Sequence, residues 1–367
     1  MTGEPGSATV EEIAEDIRRS LPGLSPGDRL PTVRELMARY RVSQFTVQKA
    51  LAVLKEEGRI AAKVGLGTYV TLAGGGTEAA LRNVLVLSYE RPSDRANELT
   101  RLLHQEFLRR KWRSAVLTYA DFEQAADLVA SLPRFDACIV QPRGTVVPLN
   151  LLAMVRARSR TIAIEGYSVA GIDADVVAID WRAAVARALR HLIDLGHGRI
   201  GLIVQPLAVR AASAVADEFR RLAEWASVET GPELFIELAD GGEETAFAGL
   251  ADRLAKAGRT GTAWIAYPPP FHGTRLLRCF SDAALDVPGD ASVVTLGFTD
   301  LTPEHVGLWD MAGQSAANVA GAVADAIERR WSEPQGPWST RHLWPDLIVR
   351  QSTSQAGRLA RPSWAEG

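Results

Sequence analysis

Sulfur is scarce here: 367 residues contain two cysteines and four methionines. Cys138 lies in the apolar run DACIV and Cys279 in LLRCF. Both read as buried thiols in a reducing compartment rather than as a disulfide framework. No uninterrupted apolar run reaches the ~18 residues of a membrane helix, so no span is expected. The opening MTGEPGSATVEEIAEDIRR has neither a basic n-region nor an apolar h-region; no signal peptide is expected, and a cytoplasmic location is. Also missing are G-x-S-x-G, a Walker A loop and a Gly-rich dinucleotide turn after a strand. No Cys/His/carboxylate cluster has metal-ligand spacing. The sequence therefore offers no enzyme site, no metal and no cofactor. No internal repeat with a period of about 20–50 residues stands out.

What is present is a soluble composition, 47% hydrophobic and 23% charged, with a net charge of −3 that is unevenly distributed. From Arg34 to Thr68 seven Lys/Arg (Arg34, Arg39, Arg41, Lys49, Lys55, Arg59, Lys63) face three acids (Glu35, Glu56, Glu57), giving +4 and leaving −7 for the rest. A basic island on an acidic chain suggests a localised anionic partner.

Thr9 with Glu12 has capping-box spacing, and Val10, Ile13, Ile17 and Leu21 follow at helical intervals. PGLSPGDRLP breaks the chain, and Thr32 with Glu35 opens a second helix through Leu36, Met37 and Tyr40. After the short turn Arg41–Val42, Ser43 caps a third helix with Val47, Ala50, Leu51 and Leu54 on its apolar face and Gly58 as its stop. RIAAKV and TYVT, joined by Gly65-Leu66-Gly67, read as a two-stranded ribbon. This order is that of a winged helix-turn-helix over residues 1–71. Residues 72–82 are Gly-rich and read as a flexible linker. Beyond them about nine apolar runs (VLVLS, SAVLTY, ACIVQ, TIAIEG, VVAID, RIGLIVQ, LFIEL, TAWIAY, SVVTLGF) alternate with helical stretches. Runs apolar on both faces argue buried parallel strands, an α/β architecture, and fit two doubly wound lobes better than one sheet. The tail, residues 354–367, reads as disordered.

GDRLPTVRELMARYRVSQFTVQKALAVLKEEGRIAAKVGLGTYV resembles the DNA-binding domain of the GntR family of bacterial regulators. The correctly spaced elements are Leu30-Pro31, Arg34-Glu35-Leu36, Ser43, Thr46-Val47, Ala50-Leu51, Leu54, Glu57-Gly58 and Gly65-x-Gly67-Thr68. The resemblance implies DNA contacts from Arg34, Ser43, Gln44, Phe45, Thr46, Gln48, Lys49, Lys63, Gly65, Gly67 and Thr68. The chemistry agrees. Ser43 begins a helix whose free N–H groups suit a phosphate, and the first turns of such a helix reach major-groove base edges. The sequence departs from the family at Gln44 and Gln48, where relatives usually carry arginine. Arginine pairs with guanine, whereas glutamine matches adenine N6 and N7. The half-sites are therefore expected to carry A·T where relatives prefer G·C, with a smaller electrostatic share of affinity.

VVAIDWRAAVARALRHLIDLGHGRIGLIVQP, LDVPGDASVVTLGFTD and LWPDLIVRQST resemble the effector domain of the LacI family, built like a periplasmic sugar-binding protein, over residues 83–353. Joined to a GntR-type reader, this is the architecture of arabinose-responsive repressors. His191 and His197 read as structural within that motif. Much of the family's sugar-holding chemistry is replaced: Val215 stands for an arginine, Pro268-Pro269-Pro270 for an Asn-Asp pair, and Thr299-Asp300 for Asp-Asp. Two alternatives stay open. Either a less hydroxylated effector is held by Tyr89, Arg91, Tyr167, Gln205, Thr299 and Asp300 at strand ends, or the pocket binds nothing and the module regulates constitutively or through protein contacts. The expected protein is a ligand-responsive regulator of transcription, a repressor, acting as a homodimer on pseudo-palindromic double-stranded DNA. An aminotransferase-like fusion is disfavoured, since Lys111 and Lys256 are the only lysines after residue 71.

Overall fold

The computed structural model describes residues 8–21, 28–57, 59–63, 67–70, 82–89, 94–119, 121–142, 147–166, 173–241, 243–258, 263–267, 273–300 and 307–356. The chain divides into two units, Met1–Leu81 and Arg82–Gly367.

In the first unit, α1 (Val10–Ser20), α2 (Val33–Tyr40) and α3 (Gln44–Glu56) precede β1 (Ile60–Lys63) and β2 (Gly67–Val70). Thr9/Glu12 and Thr32/Glu35 form reciprocal capping boxes, which satisfy helix N–H groups that otherwise lack partners. Arg41 leaves α2 in the left-handed region at φ 53, so the chain reverses in two residues before Ser43 caps α3. β1 and β2 pair antiparallel, Ile60 opposite Val70 and Lys63 opposite Gly67. Ile13, Ile17, Leu36, Val47, Leu54, Ile60 and Val70 bury together, so all three helices and the ribbon share one core. The expected stop at Gly58 and residues 72–81 of the expected 72–82 linker lie outside the described residues, while Arg82 belongs to the second unit, its carbonyl accepting from the Arg113 N–H at 2.7 Å.

The second unit continues with β3 (Asn83–Tyr89), α4 (Asp94–Arg109), β4 (Arg113–Tyr119), α5 (Phe122–Ser131), β5 (Phe135–Gln141), α6 (Leu149–Arg158), β6 (Ser159–Glu165), β7 (Asp175–Ile179), α7 (Trp181–Asp194), β8 (Ile200–Val204), α8 (Arg210–Trp225), β9 (Phe235–Glu237), α9 (Glu243–Phe247), α10 (Leu250–Ala257), β10 (Ala263–Tyr267), α11 (Gly273–Asp282), β11 (Ser292–Phe298), β12 (Asp310–Gln314), α12 (Ala316–Ser332), β13 (Thr340–Leu343) and β14 (Asp346–Ile348). The strands make two six-stranded sheets, β4-β3-β5-β6-β7-β13 and β9-β8-β10-β11-β12-β14. All neighbours are parallel except β12 with β14. All nine expected strands are present. β12, β13 and β14 are additional, because DMAGQ, TRHL and DLI carry no long apolar run.

The chain crosses between the lobes three times, at Asp180, at Ser315 and at Trp344–Pro345. The crossings are tied to one another. The Asp180 N–H donates to the Leu343 carbonyl at 3.0 Å, and Gln314 Nε2 donates to the Trp344 carbonyl at 2.9 Å.

Two buried ionic clusters pin the C-terminal segments to the lobes. Asp175 accepts from Arg330 Nε at 2.9 Å and from the Ser339 N–H at 3.0 Å, while Arg330 Nη1 donates to the Gly336 carbonyl at 2.6 Å. In the other lobe Asp310 accepts from the Arg350 N–H at 2.6 Å and from Thr353 Oγ1 at 2.5 Å, and His191 Nε2 meets Thr353 Oγ1 at 3.0 Å. The expectation of a disordered tail from residue 354 needs correction. The Ser354 N–H donates to Ser292 Oγ at 2.9 Å, its carbonyl accepts from His197 Nε2 at 2.9 Å, and the Ala356 N–H donates to the Leu195 carbonyl at 2.8 Å. Short-range composition gave no hint of these distant partners. Residues 357–367 lie outside the described residues.

Candidate nucleic-acid interface and effector cleft

The first unit presents one helix face unlike the others. Ser43 Oγ accepts from the Thr46 N–H at 3.2 Å and lies 2.9 Å from Thr46 Oγ1, which fixes the start of α3. Val47, Ala50 and Leu54 are fully buried. With that stripe facing inward, Gln44, Phe45, Gln48 and Lys49 are all exposed, and Thr46 is half-buried beside its cap. Helical geometry brings residues four apart together on the surface, so Gln44–Gln48 and Phe45–Lys49 form two adjacent rows. Lys49 Nζ lies 4.7 Å from the centroid of the Phe45 ring. Arg34, at the start of α2, is also exposed.

Ion pairing sorts the basic island. Arg39 lies 3.3 Å from Asp16 and Arg59 lies 3.3 Å from Glu57. Arg34, Arg41 and Lys49 make no ion pair with a carboxylate among the described residues. The local acid Glu35 is spent on its cap: Thr32, through its backbone N–H and then its hydroxyl, holds this carboxyl below the usual range. Tyr40 is pushed up to about 12, by burial first and then by its hydrogen bond to Asp16 at 2.7 Å, so it stays a neutral donor. In the wing, Thr68 and Gly67 lie on β2, and the Leu30 N–H donates to the Thr68 carbonyl at 2.8 Å. Lys63 is placed on β1 by its backbone alone, and Gly65 is outside the described residues. A recess of about 450 Å³ lies between α1 and Val53 of α3; Glu11, Glu12 and Glu15 outnumber Arg18 and Arg19 on its wall, and Arg18 is paired with Glu15 and Glu57, so it is a poor phosphate seat.

In the second unit both sheets reverse direction of growth once, between β3 and β5 and between β8 and β10. Such switch points, at the carboxyl ends of the strands, are where open α/β sheets bind ligands. Gln205 follows β8 directly, and its N–H donates to the Tyr267 carbonyl at the end of β10, at 3.0 Å. The ring of Tyr267 lies 5.0 Å from that of Trp181, the residue after the first interlobe crossing. On the other sheet, Ser88 and Gln141 end the paired runs of β3 and β5, and Gln141 Oε1 accepts from Thr100 Oγ1 at 3.3 Å. Gln141, Glu165, Trp181, Tyr267 and Gln314 were not among the expected site residues. For all but Trp181 the signal was present: ACIVQ, TIAIE, TAWIAY and DMAGQ finish on a polar or aromatic residue at the strand's carboxyl end.

Thr299 and Asp300 follow β11 on the same edge as Gln205, where the Thr299 backbone and the Asp300 carboxylate are engaged within the protein. The Thr299 N–H donates to the Gln314 carbonyl at 3.1 Å, and its own carbonyl accepts from Arg350 Nη2 at 2.9 Å. Asp300 accepts at both carboxylate oxygens from the first turn of α12, from the Ala316 N–H at 2.7 Å and the Ala317 N–H at 3.2 Å. Its charge complements the positive end of that helix. Arg91, Tyr167 and the Tyr89 side chain lie outside the described residues. Val215 is fully buried in the core of α8, so the position that would carry an arginine faces packing and not solvent. His197 is buried, and Cys138 and Cys279 are buried free thiols, each thiol pushed up by burial.

Residues 9–70 match the family model for bacterial regulatory proteins of the gntR family. The HTH-type transcriptional regulator reg1 of Streptomyces lividans is 30% identical over 207 residues, 55% of this chain and 58% of that protein. The chain thus spans a little over half the length of the curated relative it matches. A transcriptional regulator CelR–cellobiose complex is similar across 95% of this chain and 100% of its own, with a TM-score of 0.63 at 17% identity. The lac repressor dimer bound to operator and the anti-inducer ONPF is similar across 76% of this chain and 96% of its own, with a TM-score of 0.62 at 15% identity. The N-terminal unit carries a GntR-type helix-turn-helix domain, and the two-sheet unit has the fold of LacI-type regulators.

Proposed function

We propose that this protein is a sequence-specific, DNA-binding regulator of transcription, a repressor, whose operator binding responds to a small molecule in the cleft between the two lobes. One observation carries the reading: the capped α3 helix buries Val47, Ala50 and Leu54 and leaves Gln44, Phe45, Gln48 and Lys49 uncovered within a GntR-type domain. Gln44 and Gln48 reach base edges in the major groove and read adenine, while Arg34, Arg41, Lys49 and the wing residues Lys63, Gly65, Gly67 and Thr68 take phosphates. The active species is a homodimer, so that two readers meet two half-sites of a pseudo-palindrome. β4 suits such pairing. It is the edge strand of its sheet, and Val116 on it and Leu108 on α4 are 50% and 60% exposed.

The protein has no catalytic role in this reading. Closure of the lobes about the three hydrogen-bonded crossings changes the separation of the DNA readers, so effector and operator affinities are linked. The effector in this reading is not a free sugar held by the usual carboxylates, because Thr299 stands where the family's sugar-contacting aspartate would be and the neighbouring Asp300 is engaged as a cap of α12. Gln141, Gln205, Glu165 and Tyr267 are the polar groups we assign to the pocket, joined by Tyr89, Arg91 and Tyr167. That same commitment of Asp300 favours a second reading, in which the cleft is empty of function and the protein regulates constitutively or through protein contacts. Selection from random duplexes tests the DNA reading: strongly specified A·T pairs in each half-site support it, and G·C at every specified position refutes the glutamine assignment. A thermal-shift screen over metabolites separates the two readings of the cleft. A large shift with a free pentose or hexose would contradict the assignment of Asp300.

A further inference from the structure

We infer that Phe45 is a specificity residue that reads thymine through its 5-methyl group, with Lys49 holding the ring in reading position. The inference rests on the DNA-binding reading and deepens it. Phe45 is the second residue of α3 and is 65% exposed, whereas its neighbour Val47 is fully buried. Its position and not its exposure alone singles it out: it projects from the first turn of the helix face assigned to DNA, where side chains reach base edges. Lys49, one turn on, places its ammonium 4.7 Å from the ring centroid. This cation–π contact restrains the ring on the outer surface, beside Gln44 and Gln48, with most of its surface still uncovered.

The chemistry selects the partner. A phenyl ring has no donor or acceptor, so it cannot read hydrogen-bonding edges in a groove. The apolar group that base pairs display in the major groove is the thymine methyl. Adenine, the base that suits the two glutamines, is paired with thymine. One A·T pair, or two in succession, therefore offers N6 and N7 to a glutamine and a methyl to Phe45. The same face of α3 would then specify both strands of its step. Lys49 does double duty, because its ammonium over the ring lies next to a helix face that approaches phosphates.

The test uses the full chain and the duplex it enriches by selection. Each half-site thymine is replaced singly by deoxyuridine, which removes one methyl and keeps every hydrogen-bonding group. We expect one or two thymines per half-site at which affinity falls about fourfold, the value for one buried methyl-sized group. Phe45→Ala should weaken binding to the thymine duplex and bind the deoxyuridine duplex equally well, while Phe45→Leu should keep part of the discrimination. Unfolding midpoints of both variants should match the parent, since the side chain is exposed. If Phe45→Ala retains the full preference for thymine, or if no half-site thymine is sensitive, the inference is wrong and the DNA reading stands. If no duplex is enriched at all, the DNA reading itself fails and the inference with it.

Discussion

Raising the salt concentration should weaken operator binding by an amount the structure sets. Of the seven cations in the basic island, Arg39 and Arg59 are occupied by Asp16 and Glu57 and Lys55 lies in the last turn of α3, leaving Arg34, Arg41 and Lys49 exposed near the start of α3, with Lys63 on the wing. Four phosphates neutralised per reader, by Arg34, Arg41, Lys49 and Lys63, give eight for a dimer, and at about 0.9 per phosphate the logarithm of affinity falls with a slope near 7.2 against log salt. Between about 50 and about 200 mM salt this is roughly a twenty-thousandfold loss. Arg34→Gln removes one contact per reader and should flatten the slope by about 1.8, with little change in the preferred sequence. Fluorescence anisotropy titrations of a labelled operator at four salt concentrations measure both quantities. A slope near zero, or one that Arg34→Gln leaves unchanged, would refute the placement of DNA on this face. A slope near 10 would mean that phosphates are gripped by residues outside it.

Asp175→Ala should destabilise the two-lobed unit by about 3–5 kcal/mol, because it strands the buried guanidinium of Arg330; adding Arg330→Met should recover part of the loss in denaturant melts, and no recovery would mean that the stranded Arg330 charge is not its source. Acidification should loosen the C-terminal segment. Burial holds the His197 imidazole below its ordinary 6.5, with His191 adding to the fall and the Ser354 carbonyl opposing it. The unfolded chain therefore takes up a proton that the folded chain resists, so stability is full above pH 6.5 and declines below it. For Asp310 burial pushes the carboxyl up, but the bonds from His191, Thr353, Arg350 and Ser352 outweigh it, and the net fall below 3.8 adds a further loss in acid beneath that value. Hydrogen exchange of the Ser354 and Ala356 amides as a function of pH checks this, and protection that rises on acidification would contradict it. Asp300→Ala should cost about 1 kcal/mol through the start of α12 and leave the affinity for any effector unchanged. A lost thermal shift in an otherwise stable variant would return Asp300 to the pocket.

How far the sequence foretold this structure depended on the range of the interactions involved. Thr9/Glu12, Thr32/Glu35 and Ser43 were legible because a cap and its partner lie three residues apart, and all three form as their spacing implies. The apolar strands were legible because burial on both faces leaves an unbroken hydrophobic run. β12 was not. Its residues include Gly313, where a side chain would meet the Gly297 carbonyl oxygen at 1.8 Å, so close sheet packing and not hydropathy defines it. The three interlobe crossings, and the capture of residues 350–356 by Asp310 and His197, join positions far apart in the chain and leave no local pattern. Asp300 shows the limit at the site itself: an aspartate after a strand fits a ligand contact and a helix cap equally well until the Ala316 and Ala317 amides are located.

The central claim is that this α3 face distinguishes one DNA sequence from another. The most direct measurement is the ratio of affinities of the full chain for its selected duplex and for a scrambled duplex of the same composition, at physiological salt. The expected ratio is about 10³ or more, falling sharply when Gln44 and Gln48 are replaced by alanine. A ratio near one, with binding that follows salt alone, would show a protein that adheres to DNA without reading it.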